Sequence, residues 1–368
     1  MPLEKDSQMK QYKDIASVAQ SLSIFGSRRK RLLQLAKGDN VIATTGANMF
    51  WLTDFWGGGM AVVEDDHTLI ITTPLEEKRA QELGKEVKVE TVKTWTEVAT
   101  ATAKKAGRGA TMVDDDREVR AHRSVKLRPE VFLEARRVKD ETELDKIARA
   151  SKGLDAIFAE LPKVLRPGKT EWEAAAEVMK LATLNELTPS GGDVALSPTI
   201  VASGENGALP HSELTNRRIR EGDFVVADIF FRFKGYNSDE TRTFAVGRVT
   251  TEMRKHYAAV LEAQQEALEL IHEGTPCMDV HNAAVAVLKR HGVDKYLNHS
   301  IGHGVGIDIH ELPGINRLNK KPLLANDVVT DEPGVYFPGK YGVRIEDTVK
   351  TGRKPLLMTR SPKELMIV

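Results

Sequence analysis

Apolar positions recur with a period of two in some stretches and with a helical period in others, and the alternation between the two organises the chain. "NVIATTG" (40–46) and "MAVVEDDHTLIITTP" (60–74) are rich in β-branched and apolar residues and predict strands, the second folding back at Glu64–His67. "LEEKRAQELGK" (75–85) has helical composition, "VKVETV" (87–92) reads as a strand, "WTEVATATAKKAG" (95–107) as a helix and "GATMVDD" (109–115) as a strand. Alternation of this kind predicts a small α/β domain, assigned to residues 1–137.

Beyond "LRPEVFLEARRVKDE" (127–141) the pattern changes. Residues 141–163 have the apolar spacing of a long amphipathic helix. Thr170 and Glu173 form a capping-box signature, predicting a helix that runs to about Leu187. Strands are predicted around 198–203, 223–233 and 239–248, followed by two helices and a return to strands. The second of those helices is read with Thr275 as cap, Pro276 at the first position and a stop at Gly292. Residues 138–368 are therefore expected to form a second, α+β domain.

Composition narrows the function. Lys+Arg and Asp+Glu balance at 53 each, which gives no drive towards nucleic acid or an anionic membrane surface. The basic run "SRRKR" (27–31) is read as the solvated face of a helix. A single cysteine, Cys277, excludes an internal disulfide framework and a cysteine zinc cluster. The start, "MPLEKDSQMKQYKD", is polar and no apolar run reaches membrane-spanning length, so a cytoplasmic protein is expected. Walker A, HExxH and GxGxxG motifs are absent, and Gly57–Gly59 is read as a flexible turn.

The candidate chemistry is carboxylate-based. If "TDEPGVYFPGKYGVRIED" (330–347) is a hairpin turning on Pro338-Gly339-Lys340, Phe337 faces Tyr341 and Glu332 faces Glu346. Like charges directly opposed in this way destabilise a strand pair. "DFVVADIFFRFKGYNSDETRTF" (223–244) repeats the situation. A turn at Lys234-Gly235 makes Asp228 and Asp239 diagonal neighbours on one face, and a turn at Phe233-Lys234 makes them directly opposite. "FVVADIFF" is too apolar for a fully wet strand, and buried unpaired carboxylates cost several kcal/mol, roughly, or become protonated. Divalent cations between the acids relieve that cost, since oxygen-rich clusters suit such ions. "HSIGHGVGIDIHELPG" (299–314) adds His303 and His310, set seven apart, with a bend in the glycine stretch needed to aim them together. "SPTIVASGENGALPHSE" (197–213) ends in a turn carrying His211.

Taken together, "SDETRT", "GHGVG…H", "EPGVY" and "VRIED", in that order, resemble the pita-bread metallopeptidases, the group of Xaa-Pro dipeptidases (prolidases), Xaa-Pro aminopeptidases and methionine aminopeptidases. "VASGENGALPH" looks like their upstream histidine segment, and "ANMFWLTDF" (47–55) resembles the creatinase-type N-terminal domain of the proline-specific members. The resemblance implies a pita-bread catalytic domain with Asp228, Asp239, His303, Glu332 and Glu346 as ligands of two divalent ions, Mn²⁺ or Co²⁺ first, with Zn²⁺ and Fe²⁺ also fitting. Asp239 and Glu346 would bridge the ions. It further implies hydrolysis of the bond before proline, with a water activated between the ions, in a dipeptide or short peptide. Glu332 would shuttle the proton, His310 would stabilise the oxyanion and His211 would contact substrate. Arg344, on the strand face of Glu346, would support a ligand carboxylate. Related proteins are commonly homodimers.

Two positions depart from the family's pattern. Phe230 stands where glycine is common two residues after the first aspartate, and is expected to alter packing behind the metals. Gly314 stands where prolidases commonly carry an arginine that grips the dipeptide carboxylate, and Arg317 is the nearest substitute. An Xaa-Pro aminopeptidase acting on longer peptides is therefore the close alternative. A metal-free creatinase-type hydrolase and a non-enzymatic peptide-binding protein are more distant ones.

Overall fold

The computed structural model describes residues 23–106, 109–115, 125–190 and 197–368, so the polar start of the chain lies outside the described residues. The chain divides into two compact units, Met1–Arg136 and Arg137–Val368.

The first unit carries helices α1 (Ile24–Ala36), α2 (Gly46–Thr53), α3 (Pro74–Gln81), α4 (Trp95–Lys105) and α5 (Pro129–Arg137), the last crossing the division by one residue. Its strands are β1 (Asn40–Ala43), β2 (Met60–Val63), β3 (Thr68–Thr72), β4 (Val87–Thr91), β5 (Thr111–Val113) and β6 (Val125–Leu127). They form one mixed sheet in the order β4-β3-β2-β1-β5-β6. The β2–β3 hairpin turns where the sequence predicts, with Glu64 N–H donating to the His67 carbonyl at 3.0 Å. Two local expectations fail. "SRRKR" is helical, but Arg28 and Arg29 are buried. Arg28 donates to the Trp51 carbonyl (2.7 Å) while lying over the Trp51 ring, and Arg29 pairs with Glu86 (2.9 Å). Long guanidinium side chains can be buried when their N–H groups find acceptors, which a charge count cannot reveal. Nor is Gly57–Gly59 merely flexible: a Cβ on Gly57 or Gly58 would lie 2.3 Å from the Phe55 or Trp95 ring, so the glycines admit aromatic side chains.

In the second unit, α6 (Glu141–Val164) and α7 (Glu171–Leu184) pack on one face of a sheet built on β9 (Phe224–Phe233) and β10 (Tyr236–Ala245). β7 (Thr188–Pro189) and β8 (Thr199–Ser203) share the other edge of β9. Both helices open with capping boxes, Asp140/Glu143 and Thr170/Glu173, which satisfy three and two otherwise orphaned backbone N–H groups respectively. α7 ends three residues short of Leu187 because Glu186 takes a left-handed conformation (φ 61°). Val225, Ala227, Ile229 and Phe231 point from β9 into a core shared with Leu154, Ile157 and Val178. The even-numbered residues of β9, including Asp228 and Phe230, therefore face the other way.

A second core lies beneath α8 (Thr251–Glu269) and α9 (Cys277–Arg290). α9 starts one residue later than predicted, with Pro276 in the cap position and no side-chain cap bond. The Thr275 hydroxyl turns back to His272. Packed with it is a five-stranded sheet in the order β12-β11-β13-β16-β17, made of β11 (Gly302–Gly304), β12 (Glu311–Ile315), β13 (Val328–Asp331), β16 (Asp347–Lys350) and β17 (Leu356–Leu357). β14 (Gly334–Phe337) and β15 (Tyr341–Arg344) form a separate hairpin. Both the α/β and the α+β expectations agree with this architecture.

Candidate metal centre

The β9–β10 turn falls at Lys234-Gly235, both at positive φ, and sets the first of the two alternative registers. Asp239 then faces Phe230 and Asp228 faces Thr241, with all four side chains on the strand face turned away from the helices. The two aspartates are diagonal neighbours.

The second acidic pair comes from a hairpin that splits. β13 pairs with β16 up to Asp331↔Asp347, and β14 pairs with β15 from Gly334↔Arg344. One register runs through both ladders and sets Glu332 against Glu346, but the ladder itself breaks there. Pro333 has no N–H to contribute. The Glu346 backbone instead pairs with Thr241 of β10, its N–H donating at 3.0 Å, and Glu332 N–H donates to the Ile301 carbonyl at 2.8 Å. The break delivers Glu346 directly to the strand that carries Asp239.

His303 enters from β11. A Cβ at Gly302 or Gly304 would lie 2.1–2.2 Å from the Thr330 or Leu312 carbonyl oxygen, so the flanking glycines serve close strand approach. The chain then bends through 305–310 and returns as β12, which reconciles the odd spacing: the His303 and His310 rings meet edge-on, centroids 4.2 Å apart. His303 Nδ1 lies 3.0 Å from the Gly304 carbonyl, where only a protonated nitrogen can donate, leaving the Nε2 lone pair to face Glu332 Oε1 (3.4 Å) and Asp239 Oδ2 (4.0 Å).

One pocket is lined by Asp228, Asp239, His303, Glu332 and Glu346 together with His211, His310 and Arg344. All eight candidate residues thus line a single cavity. His211 and His310 are exposed at it, while Asp228, Asp239, Glu346 and Arg344 are buried. Burial, followed by the charges of Asp228 and Glu332, holds the Asp239 carboxyl well above the usual range. Burial, then Asp239, Glu332 and Asp228, does the same to Glu346. Burial pushes His303 down to about 4, so at neutral pH it is an uncharged base. For Arg344, burial opposes the charge, but Tyr336, Asp228 and Glu346 outweigh it and raise its pKa.

The donor set fits divalent cations. Asp228 Oδ1, Asp239 Oδ1 and Glu346 Oε1 are buried without a hydrogen-bond partner. Ligand atoms of Asp239, His303 and Glu346 lie within 4.8 Å of one another. Buried orphaned oxygens of this kind are costly unless a cation satisfies them. Four carboxylates and one imidazole are the hard-to-borderline ligands that such ions take.

Several residues around the site carried no sequence signal strong enough to assign. The Thr241 hydroxyl donates to Glu346 Oε2 (2.6 Å) and accepts from Arg344 Nε (3.3 Å). Arg344 is ion-paired with Asp228 and donates to the Tyr336 hydroxyl (2.6 Å), which adjoins His299 Nε2 at 2.9 Å. Thr330 donates to Glu332 Oε1 (3.1 Å). Thr241 lies inside "SDETRT", and the even offset from Asp239 was the one available clue. Phe230 lines the pocket on the strand face that carries Asp228 and Asp239. Arg317 does not line the pocket; it is an exposed neighbour of His281, whose pKa burial lowers first and Arg317 lowers further.

Residues 145–351 match the profile of Metallopeptidase family M24. A Xaa-Pro dipeptidase of Pyrococcus furiosus is 34% identical over 339 residues, spanning 89% of this chain and 95% of that protein. Among solved structures, a Xaa-Pro dipeptidase from Bacillus anthracis superposes with a TM-score of 0.85 at 28% identity, covering 93% of this chain and 99% of its own. An X-Pro aminopeptidase from Thermotoga maritima gives 0.81 at 27% identity, covering 92% and 99%.

Proposed function

The chain belongs to metallopeptidase family M24, and from that membership we propose that it hydrolyses the peptide bond preceding proline, with dipeptides as its substrates. The observation that carries the reading is the convergence of four carboxylates and a neutral imidazole on one pocket, with three buried oxygens left without partners. Asp228, Asp239, His303, Glu332 and Glu346 would together hold two divalent ions. Mn²⁺ or Co²⁺ is the expected occupant.

When bound, such ions polarise the scissile carbonyl and lower the pKa of a water. The protein's own groups do the rest. Glu332 has Oε1 engaged by Thr330, which leaves Oε2 to accept a proton from the attacking water and return it to the departing proline nitrogen. Water oxygen thereby bonds to the carbonyl carbon as the C–N bond breaks. His310, exposed beside His303, donates a hydrogen bond to the oxygen that gains charge, and His211 contacts the substrate at the pocket mouth. Arg344 is ion-paired with Asp228 and, through Thr241, holds Glu346 in orientation. A homodimer in the cytoplasm belongs to the same reading, and light scattering on purified protein tests the dimer. Among the described residues no helix is long and apolar enough to cross a membrane.

Cleavage of longer peptides is favoured by one observation. The arginine lining the pocket, Arg344, is already engaged by Asp228, Tyr336 and the Pro210 carbonyl, and Gly314 supplies no cation for a dipeptide's carboxylate. Metal-loaded enzyme assayed on Ala-Pro and Ala-Pro-Ala decides between them: faster turnover of the dipeptide is expected, and turnover of the tripeptide alone would transfer the assignment to an aminopeptidase.

A further inference from the structure

We infer that Phe230 is the specificity-determining wall of the subsite for the residue before proline, limiting that side chain to small groups; the inference rests on the Xaa-Pro reading above. The wall is built by register. Ile200 on β8 faces Asp228 on β9, and Phe230 on β9 faces Asp239 on β10. All four residues line the pocket, and even offsets put Phe230 on the face of Asp228. Ile200 and Phe230 are diagonal neighbours, a separation that an aromatic side chain spans. Together they form an apolar strip running alongside the pair of aspartates.

The substrate's own geometry selects what this strip touches. The scissile carbonyl must sit beside the cations that Asp228 and Asp239 would hold, on the reading above. The first residue's Cβ is only two bonds from that carbonyl carbon, about 2.5 Å away from standard bond lengths. Its side chain must therefore lie against the apolar part of the same wall. The proline ring lies across the scissile bond, towards the segment that carries His303, Ile309 and His310. Phe230 is held from moving aside because its backbone N–H donates to the Pro198 carbonyl (3.1 Å) and the residue is only 4% exposed. A bulky first side chain meets that ring, whereas alanine or glycine does not.

The test compares kcat/KM for Ala-Pro, Leu-Pro and Phe-Pro in metal-loaded wild type, Phe230→Ala and Phe230→Leu. A ratio between substrates is independent of the fraction of enzyme folded, so partial misfolding of the alanine variant does not obscure it. The wild type is expected to favour Ala-Pro. Phe230→Ala should raise the Phe-Pro to Ala-Pro ratio by about tenfold or more, in the range by which a few methylenes are discriminated in apolar pockets, with Phe230→Leu intermediate. An unchanged ratio, or a fall in Leu-Pro and Phe-Pro relative to Ala-Pro, would overturn the assignment to Phe230 while leaving the Xaa-Pro reading intact. Absence of hydrolysis of every Xaa-Pro substrate by the wild type would overturn that reading, and this inference with it.

Discussion

Replacing Thr241 by valine removes one hydroxyl from behind Glu346 and keeps the side chain's shape. In the wild type that hydroxyl donates to Glu346 Oε2 at 2.6 Å, while Oε1 has no protein partner. Without metal, burial and neighbouring acids favour the protonated carboxyl. A metal bound there, as proposed, would ionise it. The Thr241 hydrogen bond thereby changes from one between neutral groups, worth roughly 1 kcal/mol, to one on a charged acceptor, worth about 1.5–3 kcal/mol. The difference, about 1–2 kcal/mol, is lost from metal affinity in the variant, a fall of about 5- to 30-fold at 1.4 kcal/mol per decade. The remaining ~1 kcal/mol is lost from the metal-free protein, a drop in Tm of about 2–4 °C for a unit of this size. Competition titration with a chelating indicator measures the first and calorimetry the second. Turnover at saturating metal should stay near wild type, because no assigned ligand has changed. Wild-type metal affinity in Thr241→Val would refute the reasoning.

Three further outcomes are expected. Arg344→Met leaves Asp228 buried without its cationic partner, and urea melts should show a loss of about 3–5 kcal/mol; a loss under 1 kcal/mol would mean that the pair is relaxed in solution. Gly306→Ala places a methyl 2.5 Å from the Glu311 carboxylate, which is buried in a 3.0 Å pair with Lys139, and should weaken both stability and the seating of His310; a variant with wild-type melting would show that the loop has room. Burial pushes Cys277 up to about 12, so the native state keeps the thiol protonated, an advantage intact below pH 9 and lost as pH rises from 9 towards 12. Native protein at pH 8 should accordingly fail to react with a disulfide reagent that labels one thiol after denaturation.

The sequence carried the site's acids because strand parity is a strict rule: once the turn at Lys234-Gly235 is placed, Asp228 and Asp239 must share a face. The same parity, with Phe337 against Tyr341, set Glu332 opposite Glu346. What parity could not supply was the split of that hairpin, because Glu346 exchanges backbone hydrogen bonds with Thr241, more than a hundred residues away. Thr241, Tyr336 and His299 were illegible for the same reason; their roles come from long-range contacts, not local pattern. Phe230 is legible by the same parity, since its even offset from Asp228 puts it on the face that lines the pocket. The buried Arg28 and Arg29 show the converse: a charged run reads as wet unless its carbonyl and carboxylate acceptors are known.

The claim on which the rest depends is that divalent ions satisfy the orphaned oxygens of Asp228, Asp239 and Glu346. Elemental analysis of dialysed protein after loading with Mn²⁺, run beside Asp239→Asn and paired with Ala-Pro turnover, measures it directly. The account predicts two ions per chain, activity that returns in step with loading, and loss of both in the variant. Folded wild-type protein that retains no ion at saturating Mn²⁺, or that cleaves Ala-Pro equally well after exhaustive chelation, would contradict it.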